Sequence, residues 1–233
     1  MKSFASSGDA GDIIYSLPVV RYHGPGIFYL RGEKFTRVHS TPKRIPLFER
    51  LLEAQPYIHD FRFNYGEDVT FSLDQFRTRF RNHYCETITQ MHCREFNVPE
   101  SELMKPWIDV DKRYGADVII NLTERYRTRE FPWGDVYEKY KNAAAFIGTV
   151  SEHQQFETHY GKIDRLPTDD LYDIAAFIKG SKLFIGNQSC PLAIAHAMHH
   201  PTVCEMSRAS CNGMERSINC HYSFGKTIYL PNL

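Results

Sequence analysis

The sequence has no apolar run approaching the roughly 20 residues that cross a bilayer. Its opening MKSFASSGDAGD lacks the apolar stretch of a secretion signal. Both absences speak against a membrane span or export, and a cytoplasmic location is expected. Net charge is missing too: Lys+Arg and Asp+Glu are both 28, so no overall field steers the molecule toward nucleic acid or an anionic membrane. There is no internal repeat and no low-complexity segment. Close cysteine pairs are also lacking. The six cysteines stand at 85, 93, 190, 204, 211 and 220, and in a chain without an export signal they are expected as thiols. Cys204, Cys211, Cys220 and His221 are spaced too widely for the paired ligands of a structural zinc site. What is present is ordinary for a globular protein: 42% hydrophobic and 24% charged residues. Aromatic residues reach 14%, enough to fill a core and to line a cleft; Trp107 and Trp133 fit either place.

At 233 residues the chain has room for two modest lobes or one larger domain. Hydrophobic period and Gly/Pro punctuation predict a strand at 1–5, a Gly-rich turn at 6–12, a helix at 13–21 and a strand at 27–30. A helix at 47–54, a strand at 59–64 and helical spacing over 83–96 follow, then a linker at 99–106. The second half restarts with a strand at 117–122, a helix at 136–142 and a strand at 143–148. A helix at 169–179 is entered by Thr168 as its cap. A strand at 182–186, a helix at 191–198 opened by Pro191, and a final strand at 202–205 complete the pattern. Strands alternating with helices imply an α/β fold whose parallel sheets are covered on both faces. The halves, joined near 97–116, form either two sheets or one continuous doubly wound sheet.

Four segments carry chemistry, all at carboxyl ends of predicted strands, where open α/β sheets bind ligands. In the first, Gly8, Ala10 and Gly11 let a ligand approach backbone N–H groups at a helix start. Asp12 sits in that helix's first turn, where the dipole favours its charged form; Asp9 and Asp12 read equally as helix-start residues only. The second is Asn187-Gln188-Ser189-Cys190-Pro191, a polar turn before a small-residue helix. Its free N–H groups near 189–192 suit a diphosphate, while a plain turn would have Ser189 capping and Asn187 taking an unusual backbone angle. The third holds Arg125, Arg127 and Arg129, alternating guanidinium forks for phosphate oxygens or a solvated basic loop. The fourth is residues 148–153, where Glu152 is placed to accept from ribose hydroxyls. His196, His199 and His200 read as surface histidines near a helix C-terminus.

The run Ser6-Ser7-Gly8-Asp9-Ala10-Gly11-Asp12-Ile13-Ile14-Tyr15-Ser16-Leu17-Pro18 resembles, with one extra loop residue, the amino-terminal motif of the ADP-heptose:lipopolysaccharide heptosyltransferases. Residues 183–203 resemble the same family's carboxyl-lobe motif, an apolar-Gly-Asn-Asp-Ser-Gly-Pro turn followed by a small-residue helix and Pro-Thr-Val. The resemblance implies a GT-B fold: two small Rossmann-like lobes with a cleft between them. The amino-terminal lobe (1–106) would take the acceptor and the second lobe (107–205) the nucleotide-sugar, with a tail (206–233) packing back on both. By position Asp12 matches the family's general base, Arg127 or Arg129 a basic residue on the donor phosphates, and Glu152 an acid contacting the nucleoside. Gln188 stands where the family has Asp, Cys190 where it has Gly, and Ala193 where it has His. These changes fit a different sugar or nucleotide as well as they fit loss of activity.

The expected function is inverting, metal-independent transfer of a sugar from a nucleoside-diphosphate sugar to an acceptor hydroxyl, with Asp12 as base. Gly11, Arg125, Arg127, Arg129, Gln188, Ser189, Cys190 and Pro191 are expected at the donor phosphates and Glu152 at the nucleoside. No cofactor is expected, the nucleotide-sugar being a substrate, and no metal, since no Asp-x-Asp pair lies near a predicted strand end. The acceptor is left open among saccharide, protein, small molecule and modified nucleic-acid base. A nucleotide-sugar binding module without turnover is the alternative.

Overall fold

A computed structural model describes residues 1–32, 41–76, 86–208, 213–215 and 219–233. Cys85, Cys211 and the first part of the helical stretch at 83–96 lie outside these residues, as does part of the expected tail. The chain opens with β1 (Lys2–Ser6), α1 (Ala10–His23), β2 (Gly26–Arg31), α2 (Ile45–Glu53), β3 (Ile58–Asn64) and β4 (Phe71–Ser72). These strands form a parallel sheet of order β3-β2-β1-β4. After α3 (Ile88–Glu95) and a 3-10 turn at Glu100–Met104, alternation restarts. It runs β5 (Val118–Asn121), α4 (Trp133–Tyr140), β6 (Ala144–Phe146), α5 (Val150–His159), β7 (Asp164–Arg165) and α6 (Leu171–Gly180). Then come β8 (Leu183–Asn187), α7 (Cys190–Ala197), β9 (Thr202–Glu205) and β10 (Cys220–Ser223). The second sheet has order β10-β9-β8-β5-β6-β7 and is parallel throughout. There are two sheets, not one continuous sheet.

The period of two in the strands divides the second sheet's side chains between its faces. Val118, Ile120, Leu183 and Ile185 pack with Trp133, Phe146 and Phe156 on one face. Ile119 and Phe184 join a cluster on the other that continues through α7 and α1 into the first sheet at Phe4 and Phe28. One apolar core therefore serves both sheets. α1 is buried along most of its length, from Ile13 to Val20, as a helix wedged between layers must be. Pro18 lies inside it and has no N–H to give Ile14, four residues back. The indole Nε1 of Trp107 donates to that free carbonyl at 3.1 Å. The Trp107 backbone N–H in turn donates to Ala197 at the end of α7, at 2.8 Å. The connector residue thus joins the two central helices.

Several expectations are corrected. Asp170, not Thr168, caps α6, its Oδ1 accepting from Asp173 N at 2.9 Å. β9 is not the last strand, because β10 pairs beside it. α5 was expected only as a polar turn; Phe156 is its one buried residue, too little for an apolar period. β4 and β7 have two residues each and leave no pattern to read. His196 and His200 are buried, at 0% and 9% exposure, because α7 is enclosed on all sides. Both tryptophans are core.

Candidate functional site

β1 ends at Ser6, and the chain turns at once into α1. The carboxylate of buried Asp74 accepts from Ser7 N at 3.0 Å through each oxygen, and Gly8 N donates to Ser6 Oγ at 3.2 Å. A β carbon on Gly8 would lie 2.7 Å from the Asp12 β carbon. Glycine is what lets the loop close over the helix start. Asp9 N donates to Asp12 Oδ2 at 3.1 Å, tethering the Asp12 carboxylate in the first turn of α1.

The facing wall comes from the second sheet. Asn187, at the end of β8 and fully buried, accepts from Thr123 N at 3.1 Å and donates to the carbonyls of Thr123 (2.9 Å) and Arg125 (2.6 Å). It is a clamp on the loop after β5, not a residue in an unusual backbone angle. Ser189 precedes α7, but its hydroxyl turns aside to Asn121 Oδ1 (2.9 Å) and Asn187 O (3.0 Å). The first-turn N–H groups of Cys190 and Leu192 have no intrahelical acceptor, and Pro191 has no N–H. Burial, offset by Arg44 and reinforced by Asp12, pushes the Cys190 thiol up to about 12, so it is a neutral neighbour to the site.

Beyond the clamp, Tyr126 has φ of 55°, a left-handed conformation uncommon away from glycine. The Arg125 guanidinium lies over its ring, 5.0 Å from the centroid, and donates to its hydroxyl at 3.1 Å. That hydrogen bond is the main cause raising the Arg125 pKa. On the neighbouring strand end, Thr149 N and Oγ1 donate to Glu152 Oε2 at 2.8 and 2.9 Å. Gly148 (φ 144°) has room for no β carbon, which would meet Glu152 Oε2 at 2.9 Å.

Together these elements enclose a crevice of about 740 Å³ between the sheets' carboxyl ends. Gly11 and Asp12 line it from α1. Arg125, Glu152, Gln188, Ser189 and Cys190 line it from the other side. Arg127, Arg129 and Pro191 do not. Arg127 pairs with Glu205 at 3.1 Å and donates to the Tyr160 hydroxyl at 3.2 Å. Glu205 is fully buried and also accepts from Trp133 Nε1 at 2.8 Å. Arg127 therefore neutralises a buried carboxylate, Arg129 is exposed on the same loop, and Pro191 is buried. The Asp109-Val110-Asp111 run lies elsewhere, with Asp109 paired to Lys179.

Tyr15, one turn beyond Asp12, also lines the crevice and begins a buried chain. Its hydroxyl lies 2.9 Å from His196 Nδ1, and His196 Nε2 lies 3.1 Å from the Tyr222 hydroxyl. Tyr222 gives its one proton to the Glu215 carbonyl at 3.0 Å, so it accepts from His196 Nε2. Burial pushes the His196 pKa down to about 3. The neutral ring then takes the Tyr15 proton at Nδ1. No role is expected from the sequence for Asp74, Tyr15, Thr123 or Tyr126; the two-residue strand before Asp74 and the left-handed Tyr126 leave no spacing signal.

No family model matches the sequence, and no curated protein matches it by sequence. Solved structures match by fold. A glycosyl transferase family 9 protein from Veillonella parvula superposes with a TM-score of 0.59 at 12% identity, over 95% of this chain and 84% of its own. The E. coli ADP-heptose LPS heptosyltransferase II gives 0.61 at 10% identity, over 97% and 92%. The dodecameric iron-containing heptosyltransferase TibC, in complex with ADP-D-β-D-heptose, gives 0.54 at 12% identity, over 96% and 63%. The fold is thus of the two-lobed α/β type found in these transferases. Among the described residues no group of three or more His, Cys, Asp or Glu side chains is placed to hold a metal ion.

Proposed function

We propose that the chain is a glycosyltransferase that moves a sugar from a nucleoside-diphosphate sugar to an acceptor hydroxyl with inversion. One observation carries the reading. The Asp12 carboxylate and the open start of α7 with Arg125 stand on opposite walls of a single crevice. That arrangement suits a single displacement. Asp12 takes the acceptor's hydroxyl proton as the oxygen forms its bond to the anomeric carbon. The carbon–phosphate-oxygen bond breaks on the opposite face, and the charge growing on the diphosphate meets the helix N–H groups and the Arg125 guanidinium. Glu152, held through one carboxylate oxygen by Thr149, turns its other oxygen to the ribose hydroxyls. The fold neighbour carrying ADP-D-β-D-heptose supports a donor of this class. The proposed acceptor is a saccharide, protein, small molecule or modified nucleic-acid base, and the proposed location is the cytoplasm.

The test is Asp12→Asn, assayed with a panel of nucleoside-diphosphate sugars. Turnover should fall by about 10² to 10⁴ while nucleoside diphosphates still bind, raising the melting temperature as ligands of the native state do. Unchanged turnover would remove Asp12 from the mechanism. The second reading, a binding module without turnover, is favoured by the side chain Cys190 places at the first turn of α7. It predicts diphosphate binding with no transfer to any acceptor.

A further inference from the structure

Arg125 and Asp9 come from different lobes and face each other across the crevice, Nη1 to Oδ2 at 3.6 Å. Both line it. The Arg125 side of this pair is fixed in advance, by the Asn187 clamp on its carbonyl and by the Tyr126 ring beneath its guanidinium. The Asp9 side is fixed as well, since its N–H is tied to Asp12 and it leads directly into α1. Its second oxygen, Oδ1, is buried without a hydrogen-bond partner. The Asp9 side chain also accepts from the Asp12 backbone N–H, the reciprocal half of a capping box, so the carboxylate that faces Arg125 is held at the start of α1. Outside the crevice lining, the Arg44 guanidinium lies over the Phe48 ring, 5.3 Å from its centroid, and interacts electrostatically with both Asp9 and Cys190. Arg125 and the start of α7 line one wall, and the Asp9 carboxylate faces Arg125 from the other.

Resting on the donor-site reading above, we infer that Asp9 is an internal placeholder for the donor diphosphate, holding Arg125 across the crevice and yielding it to the ligand. Binding is then an exchange of anions on Arg125. The guanidinium stays positioned without ligand, and the affinity for diphosphate is lowered by the strength of the pair it displaces. An exposed pair of this kind corresponds to about two- to fivefold in affinity.

The experiment is a double-mutant cycle read as dissociation constants for ADP, UDP, GDP and inorganic pyrophosphate, by calorimetry at low salt, where surface pairs are least screened. Asp9→Asn keeps a residue favoured before a helix and removes the charge. It should tighten binding about two- to fivefold. Arg125→Met should weaken binding, and in that background Asp9→Asn should no longer tighten it. Persistent tightening in the Arg125→Met background would mean that Asp9 acts only as a general negative charge, and would overturn the exchange. So would an Asp9→Asn variant that binds no better than the parent. Should no probe bind the parent or either variant, the donor-site reading itself falls and this inference with it. Weakening by Arg125→Met without tightening by Asp9→Asn would leave the donor site standing and the placeholder refuted.

Discussion

Glu215 is 1% exposed and sits between α3 and the last strand, with Thr89 Oγ1 donating to its Oε1 at 2.6 Å. Burial pushes its carboxyl up to about 7 from an ordinary 4.5, against the pull of the Thr89 and Thr87 hydroxyls. The folded chain therefore keeps a proton that the unfolded chain has already released over that interval. Because the folded pKa is the higher one, the stabilisation is complete below about 4.5, declines as pH rises toward 7, and is gone above it. At about 1.4 kcal/mol per pH unit, the loss across the window is about 3 kcal/mol. Glu215→Gln keeps an oxygen for Thr89 and cannot ionise. Urea unfolding in steps from about pH 5 to about pH 8.5 should show the variant gaining on the parent through the window, the buried histidines shifting both proteins alike. Above about pH 7.5 the variant should be the more stable by about 3 kcal/mol, or roughly 6 to 12 °C in melting temperature for a chain of this size. Equal pH slopes for the two proteins would refute the assignment of a protonated, buried Glu215.

Three further outcomes are expected. Asn187→Ala strips the loop after β5 of its clamp and leaves the Thr123 N–H and C=O short of partners; chemical denaturation should show a loss of about 2–4 kcal/mol. Burial lowers His196 to about 3 and His200 to about 4 from an ordinary 6.5, so the unfolded chain takes up protons first and stability should decline below about pH 6.5. Nitrogen NMR near pH 6 should find the His196 ring uncharged with its proton on Nε2, and a charged ring would contradict the network. Arg127→Ala should cost stability, by about 1–3 kcal/mol for a half-exposed partner of a buried carboxylate, and leave ADP affinity unchanged in calorimetry. Arg125→Ala should do the reverse.

Much of the site was legible because glycine and proline mark where a backbone turns. Gly8 and Gly11 at the start of α1, and Pro191 at the start of α7, mark in the sequence itself where the two walls of the crevice begin. The arginines show where such reading stops. Arg125, Arg127 and Arg129 alternate, and alternation suggests equivalence. The left-handed Tyr126 breaks it, so Arg125 enters the crevice while Arg127 goes to Glu205. Asn187 looks like a turn residue in the sequence, because a buried amide that bonds three backbone groups has the same spelling as one that tolerates a turn. His196 looked exposed because a histidine near a helix end usually is; its burial follows from packing of α7 against α1, which no local pattern contains.

The core that runs through α1 and α7 into both sheets has a consequence for size. A protein of 27.2 kDa folded as one body exposes about 10,900 Å², whereas two independent bodies of half that mass expose about 13,100 Å². The chain exposes 11451 Å², close to the single-body figure. Its sheets thus share the burial of a domain twice as large as either, and a cut between them would uncover the greasy flank of each. Halves produced separately should aggregate, and the same halves produced together should find one another.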